Sequence, residues 1–268
     1  MLRPNNCRNM PKVKCEERGY GMGVSERVKS LYTDMYADGV ERAWRDLGAR
    51  DKAANVARLY RESGLPAKPS VVEIGCGEGA IAQAMHDMDF YAEYRGYDIS
   101  QSGIDEARLR KVPGTSFKVV EGDSIPEVDG GADLVILSHV VEHLEHPRQL
   151  LCEAHRIGAF ALIEVPLELH WRTPHDYVWD DLGHINKYTS TSIRHLVQTC
   201  NFKVLRQITT NPSQDPDLFH RGSRKKRIQW RIKDVFLRCA PRIARSLFTY
   251  HETILATTAD RDNAPKRG

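Results

Sequence analysis

A glycine-rich turn between a predicted strand and a predicted helix constrains the fold more than any other feature of this sequence. The segment Val71–Gly79 reads VVEIGCGEG, so an apolar run leads directly into three closely spaced glycines. Glycines allow a tight turn and the close approach of a ligand, and the first turn of the following helix offers unpaired N–H groups. Asp98 lies 23 residues after Gly75, at the end of the next predicted strand, where a carboxylate can bind both hydroxyls of a ribose. The pattern predicts a nucleotide-binding edge of a parallel sheet.

Strands and helices alternate along the chain that follows. The predicted strands are Ser70–Gly75, Tyr91–Asp98, Ser116–Val120, Ala132–Ser138, Ala159–Val165, Phe202–Thr209 and Tyr250–Thr257. The helices predicted between them are Glu78–Met88, Ser100–Lys111, Pro147–Arg156 and Ser190–Cys200. This alternation predicts an α/β fold, a Rossmann-like and mostly parallel seven-stranded sheet with helices on both faces.

The chain before the first strand has a different pattern. Residues 1–22 predict a disordered lead-in, and the helical spacing of apolar side chains over 23–66 predicts an N-terminal helical cap. The α/β domain is expected over 67–260, followed by a tail at 261–268. Hydrophobic residues make up 41% and charged residues 28% of the 268, which excludes a wholly disordered chain.

Hydropathy and cysteine usage bear on the compartment. No apolar run approaches the roughly 18 residues that a membrane span needs. The basic N-terminus lacks the apolar stretch of a signal peptide. Six cysteines are scattered without a C-x-x-C pair, which favours reduced thiols. These observations predict a cytoplasmic protein, and they leave peripheral contact with a membrane open.

A strongly basic segment interrupts an otherwise acidic body. Residues 221–245 contain ten Lys and Arg against the single acid Asp234, a net charge of +9. Apolar residues recur there at helical spacing, so we expect a helical insertion over 221–248 that Pro241 divides in two. Three interpretations stay open: packing on the sheet, a membrane-surface helix, or capture of an anionic acceptor. Nucleic acid is disfavoured, because aromatic residues scarcely interleave with these charges.

Four motifs follow one another between about Ser70 and Phe202. They read EIGCGEG (73–79), GYDIS (96–100), EGDSIP (121–126) and ADLVILSHVVEHLEHP (132–147). In this order they resemble the motifs of class I S-adenosylmethionine-dependent methyltransferases, in particular those that methylate small metabolites, sugars and quinones. The resemblance covers roughly half of the chain and implies that S-adenosyl-L-methionine is the cofactor.

The resemblance also implies positions for the parts of that cofactor. The methionine part would be surrounded by Glu73, Gly75, Cys76 and Gly77. Asp98 would bind the ribose, and Ile99 would lie against the adenine. Asp123 and Ser124 would lie at the edge of the adenine. Ser138 and His139 would lie beneath the reacting sulfonium.

The segment from His139 to His143 spells H-x-x-E-H, a pattern that inverted zincin proteases also carry. Its spacing predicts His139 and His143 on one helical face. A protease, however, would leave the glycine turn and Asp98 unexplained. The segment also resembles the E-x-x-E-H metal motif of ubiquinone-pathway O-methyltransferases and small-RNA 2′-O-methyltransferases.

That second resemblance implies a divalent metal site. Its ligands would be His139, Glu142, His143 and the later His184. His139 stands where the motif has its first glutamate, which favours zinc or iron over magnesium. Histidines that only order the loop, without a metal, remain the alternative.

The function that follows is transfer of a methyl group from S-adenosylmethionine by in-line displacement. Candidate general bases are His139, His143 and His184. We expect O-methylation of a small-molecule, sugar or glycolipid acceptor, held by the polar and aromatic loop over 166–188. Two alternatives stay open: a metal-dependent RNA 2′-O-methyltransferase and a non-catalytic regulator that binds the cofactor.

Overall fold

The computed structural model of the protein describes residues 39–121, 124–171, 173–177, 183–212 and 224–258. The predicted lead-in over 1–22, the first part of the helical cap and the predicted tail over 261–268 lie outside these ranges. None of the described helices combines the length and the apolar composition that crossing a bilayer requires.

Helices and strands alternate along the described residues. The helices are α1 (Gly39–Glu62), α2 (Ala80–Asp87), α3 (Gln101–Leu109), α4 (Pro147–Ile157), α5 (Ser190–Thr199), α6 (Arg224–Cys239) and α7 (Pro241–Leu247). The strands are β1 (Ser70–Ile74), β2 (Glu93–Asp98), β3 (Thr115–Val119), β4 (Ala132–Ser138), β5 (Gly158–Pro166), β6 (Phe202–Thr210) and β7 (His251–Thr258). The basic segment forms α6 and α7, and the helix is interrupted between them just before Pro241, as predicted.

The seven strands form one sheet in the order β3-β2-β1-β4-β5-β7-β6. Strands β1 to β5 are parallel to their neighbours among these five, whereas β7 runs antiparallel to both β5 and β6. The β5–β7 register pairs Glu164 with Thr253 and Pro166 with His251. The first residues of β7 therefore lie beside the last residues of β5, at the edge where the parallel strands end. The predicted mostly parallel sheet is confirmed.

Helices cover both faces of this sheet, as predicted. Strand side chains alternate between the faces, so β4 sends Val135 and Leu137 to one core and Leu134 and Ile136 to the other. The first core includes α4 and α5, and the second includes α1, α2 and α3. Burial on both faces explains why the central strands read as nearly continuous apolar runs.

Local capping fixes where the helices begin. The Ser100 side chain accepts a hydrogen bond from the Gly103 N–H and caps α3. Thr189 and Ser192 cap the start of α5 reciprocally, and Pro147 occupies the first turn of α4. The cap at Ser100 places the first residue of α3 three residues after Asp98, at the ligand-binding edge of the sheet.

Candidate active site

A cavity of about 900 Å³ opens at the carboxyl ends of β1, β2, β4 and β5. Trp44 and Lys52 of α1 line one side of it, and Trp230 of α6 lines another. Open α/β sheets bind their ligands at this edge. The volume lies at the upper end of the range for small-molecule sites, so it can hold a cofactor together with an acceptor.

The glycine turn forms the floor of the cavity beside β1. Gly75, Gly77 and Gly79 have φ angles of 80°, 50° and 72°, a region that other L-residues rarely adopt. A Cβ atom on Gly75 would lie 2.4 Å from Cγ2 of Val140, so this position has no room for a side chain. The turn therefore requires glycine for both backbone conformation and close packing.

Asp98 ends β2 and faces the glycine turn. Its Oδ2 accepts a hydrogen bond from the Gly77 N–H at 2.7 Å, and its Oδ1 accepts one from the Ser100 N–H at 2.8 Å. Burial raises the pKa of Asp98, although these backbone hydrogen bonds oppose the effect. Asp98 lines the cavity together with Ile99, an arrangement that suits a carboxylate receiving ribose hydroxyls.

Glu73 lies near the end of β1 and is almost fully buried. The Tyr94 hydroxyl donates a hydrogen bond to its Oε2 at 2.5 Å. Burial raises the pKa of Glu73 to about 7, against the lowering effect of that hydrogen bond. Since Glu73 also lines the cavity, a cationic group bound there would favour its ionised form.

The remaining cofactor-binding candidates divide into two groups. The buried free thiol of Cys76 and the hydroxyl of Ser138 both line the cavity, and Ser138 Oγ has no hydrogen-bond partner among the described residues. Ser124, in contrast, is exposed and does not line the cavity. Asp123 lies outside the described residues, so the adenine-edge positions stay a prediction.

Helix α1 is fastened over the glycine turn by an ionic network that the sequence did not reveal. Arg45 donates two hydrogen bonds of 3.0 Å to the two carboxylate oxygens of Glu78, within the turn. Arg110 donates to the same carboxylate at 2.9 Å and pairs with Asp46 of α1 at 2.8 Å. Glu78 is buried, so these pairs are shielded from solvent and hold the helix against the cofactor side of the cavity.

The H-x-x-E-H segment does not form the helix that its spacing predicts. After β4 ends at Ser138, His139 takes φ 58°, and Val141–His143 form only a single 3-10 turn. The His139 N–H still donates to the Glu164 carbonyl at 2.9 Å, which extends the β4–β5 pairing by one residue. The two histidines therefore do not share a helical face, and that expectation is wrong.

This geometry divides the predicted metal quartet. Glu142, His143 and His184 lie together and form what we call the Glu142 cluster, with ligand atoms within 4.8 Å of one another. His139 instead joins two residues that the sequence did not single out, Glu164 and His251, in what we call the Glu164 cluster. The two clusters adjoin, because His139 Nδ1 lies 3.3 Å from Glu142 Oε1.

The Glu142 cluster is held by backbone contacts with the chain before α5. The Glu142 carbonyl accepts hydrogen bonds from the Ile185 and Asn186 N–H groups, at 3.0 and 2.9 Å. His143 Nδ1 lies 3.1 Å from the Gly183 carbonyl, and His184 Nδ1 lies 2.8 Å from Glu168 Oε2. With Nδ1 donating in each case, Nε2 carries the lone pair that a base or a metal ligand needs.

The Glu164 cluster lines the cavity with all three of its residues. Glu164 Oε1 lies 3.5 Å from His139 Nε2 and 3.7 Å from His251 Nδ1, while its Oε2 accepts a hydrogen bond from Thr253. Among the described residues, neither His139 Nε2 nor Glu164 Oε1 has a hydrogen-bond partner of normal geometry. The cluster therefore holds polar atoms that a bound molecule could engage.

The two clusters share one electrostatic arrangement. Burial opposes ionisation of Glu142 and Glu164, but the neighbouring histidines outweigh it and hold the pKa of each carboxyl below its usual value. Burial lowers the pKa of His143 and of His251, against the attraction of the carboxylates. Ionised carboxylates beside neutral imidazoles are the states that a general base or a metal ligand needs.

Sequence reasoning missed Glu164, Glu168 and His251. Glu164 stands near the end of a predicted parallel strand, a position that itself signals the ligand-binding edge. His251 begins the last strand, and it reaches the same edge only because β7 is antiparallel to β5. Its role could be found only from the direction of that strand.

Known proteins resemble the chain in both sequence and fold. A family model described as a methyltransferase domain matches residues 41–207. The chain is 28% identical over 90 residues to a mitochondrial ubiquinone biosynthesis O-methyltransferase of Candida albicans, covering 31% of this chain and 27% of that protein. It is 28% identical over 160 residues to a phthiotriol/phenolphthiotriol dimycocerosates methyltransferase of Mycobacterium tuberculosis, covering 56% and 54%.

The chain thus spans little more than half, or less, of the length of these two relatives. The fold is similar to that of a putative sarcosine dimethylglycine methyltransferase from Galdieria sulphuraria, with a TM-score of 0.57, 14% identity and coverage of 78% and 85%. The family model covers well over half of the chain and contains the glycine turn, Asp98 and both acidic residues that name the clusters. The chain therefore belongs to the class I S-adenosylmethionine-dependent methyltransferases, and S-adenosylmethionine is its cofactor.

Proposed function

We propose that the protein methylates a hydroxyl oxygen of a small-molecule or lipid acceptor bound on the histidine side of the cavity. The observation that carries the proposal is the position of His139, which directly follows Ser138 and lines the cavity. Its Nε2 has no hydrogen-bond partner among the described residues and lies 3.5 Å from Glu164 Oε1. A hydroxyl nucleophile gains most from such a base, because its proton must leave as the oxygen attacks. The curated relatives support the acceptor class, since one belongs to ubiquinone biosynthesis and another acts on phthiotriol dimycocerosates.

The chain's own residues would divide the work around the cofactor, which supplies an electrophilic methyl group. The glycine turn, Glu73 and Asp98 hold the cofactor at one side of the cavity. His139 Nδ1 lies 3.3 Å from Glu142 Oε1, and as the base His139 would accept the proton of the acceptor hydroxyl at Nε2. Glu142 and Glu164 then lie on the two sides of the imidazolium and stabilise its charge.

The Glu142 cluster fits a divalent ion. Glu142 is fully buried, and neither of its carboxylate oxygens has a hydrogen-bond partner among the described residues. The Nδ1 contacts of His143 and His184 orient both rings in the way that a carboxylate or carbonyl orients a metal-ligating histidine. Two nitrogens and one carboxylate suit zinc or iron better than magnesium. Such an ion would polarise the acceptor hydroxyl, and His143 and His184 would be ligands, with His139 the base.

A methyl-transfer screen tests the proposal. Binding of S-adenosylmethionine is measured first by calorimetry, and transfer of labelled methyl is then assayed on quinols, glycolipids, glycans and short RNA. Incorporation into a hydroxyl of a small or lipid acceptor supports the proposal. Transfer to RNA alone would favour the 2′-O-methyltransferase alternative, and tight cofactor binding without transfer to any acceptor would favour a regulator.

A further inference from the structure

Helix α6 has two chemically different faces. Trp230, Lys233 and Asp234 face inward and line the cavity. The Trp230 indole donates a hydrogen bond to the Pro212 carbonyl, and the Tyr250 hydroxyl donates one to the Lys233 carbonyl at 2.8 Å. These contacts hold α6 at the mouth of the cavity.

The opposite face of α6 carries a stripe of exposed apolar side chains. Ile228, Ile232 and Val235 are 51%, 47% and 56% exposed, and Phe236 extends the same stripe. Their spacing of four, three and one residues places them on one side of a helix. Helix α7 also carries an exposed apolar side chain, Ile243. Phe236, 39% exposed, packs edge-on against Phe248, but no side chain of α6 is buried and the rest of the stripe stays about half exposed among the described residues.

Basic residues border the stripe. Arg224, Lys225, Arg227, Arg231 and Arg238 are all exposed. The one acid in α6, Asp234, lies on the cavity face and pairs with Arg238 at 3.0 Å. By helical spacing, the four arginines lie along one flank of the stripe and Lys225 lies within it. An apolar stripe bordered by exposed cations is typical of helices that lie in the interface of an anionic membrane.

We propose that the outer face of α6 and α7 docks the protein on an anionic lipid bilayer, with the cavity mouth beside the membrane surface. This inference rests on the proposed function, because it identifies the acceptor as a molecule carried in the lipid layer. The apolar side chains would enter the boundary between headgroups and acyl chains while the Lys and Arg side chains pair with anionic headgroups. Because the inner face of the same helix lines the cavity, docking shortens the path of a lipid-borne acceptor to His139.

The aromatic residues favour a membrane over RNA as the occupant. Single-stranded nucleic acid is bound by aromatic side chains that stack on successive bases between the charges. Trp230 points into the cavity instead, and Phe236 is the single aromatic side chain of the outer stripe. A surface of aliphatic and basic residues matches a charged lipid surface better.

Vesicle co-sedimentation of the full chain tests the proposal. The vesicles are phosphatidylcholine alone and an equal mixture of phosphatidylcholine with phosphatidylglycerol. We expect binding to the mixed vesicles only, and we expect it to weaken as salt rises because exposed charges are screened. Equal binding to both vesicles, or binding to neither, would overturn the proposal, as would binding to a short single-stranded RNA in place of vesicles.

Substitutions with matched controls locate the contact. Ile232→Asp and Val235→Asp should each weaken partitioning at least about tenfold, since each removes several methyl or methylene groups from the lipid phase. Arg227→Gln and Arg231→Gln should each weaken it about fivefold. Leu109→Asp and Val128→Asp change apolar side chains that are even more exposed but lie outside α6 and α7, and they should leave partitioning unchanged. Equal losses in both sets would overturn the assignment to α6.

The readouts separate this inference from the proposed function. Vesicle binding needs no turnover, and every variant is first checked for unchanged cofactor affinity. Methylation of a lipid acceptor that persists without vesicle binding would contradict the docking inference alone. Vesicle binding by a protein that methylates no hydroxyl would contradict the proposed function alone.

Discussion

The cofactor side and the histidine side of the cavity are built in different ways. The glycine turn, Glu73 and Asp98 come from two adjacent strands, and both carboxylates accept hydrogen bonds within the protein. The histidine side gathers residues from β4, β5, β7 and the chain before α5, and it leaves buried oxygens of Glu142 and Glu164 without normal hydrogen bonds. On the cofactor side, hydrogen bonds within the protein already hold the carboxylates in place before a ligand binds. On the histidine side, the carboxylate oxygens without such bonds are available to a proton, an ion or an acceptor.

The largest difference should appear on replacing Gly75. Gly75→Val forces a side chain into Val140 and strains a backbone at φ 80°, so cofactor affinity should fall more than about a hundredfold. Calorimetry with S-adenosylmethionine measures the loss. Gly114→Val is the matched control, because Gly114 has a similar φ of 71° but its Cβ would meet nothing closer than 3.6 Å. Retained affinity in Gly75→Val would contradict the preformed turn.

On the histidine side, His143→Ala should separate catalysis from cofactor binding. We expect the turnover rate to fall about 10²- to 10⁴-fold, because the acceptor hydroxyl would lose polarisation, while cofactor affinity stays unchanged. A chelator should abolish turnover, and zinc or iron(II) should restore it. His146→Ala, an exposed histidine in the same loop, should leave turnover unchanged. Turnover that resists chelation would refute the metal but leave His139 as the proposed base.

Asp98→Ala should lower the affinity for the cofactor by an intermediate factor. Losing hydrogen bonds to a charged group costs about 1.5–3 kcal/mol, which corresponds to roughly 10- to 150-fold in affinity. Calorimetry measures this change, and vesicle binding by α6 should be unaffected. A variant with wild-type affinity would show that the ribose binds elsewhere.

The smallest expected effect is the pH dependence that Glu73 confers. Burial raises the pKa of Glu73 to about 7, and an ammonium group on the methionine part of the cofactor would favour the ionised carboxylate. Affinity should therefore rise about tenfold between pH 5.5 and 7, as Glu73 loses its proton more readily. Glu73→Gln should flatten this rise. An affinity that falls over the same range would place the ammonium group away from Glu73.

The predictable part of the molecule was the part whose residues are close in sequence. The strand, glycine turn, helix and following Asp98 form one continuous unit, and periodicity placed each element within a few residues of its observed ends. The H-x-x-E-H segment shows the opposite case. Helical spacing predicted one face for His139 and His143, but β4 continues to Ser138 and only one 3-10 turn follows before Pro147.

The sequence by itself determined the alternating fold, the cofactor-binding turn and the division of the basic segment at Pro241. These features depend on hydrophobic periodicity, glycine conformation and proline geometry, which act between neighbours along the chain. Only the tertiary structure decided that Glu164 and His251 join His139, and that the apolar stripe of α6 faces away from the cavity. The antiparallel direction of β7 brings His251 to Glu164, and contacts of Trp230, Lys233 and Tyr250 orient α6. These contacts join segments that are far apart in the sequence. Because no local sequence pattern encodes them, they could be identified only in the folded structure.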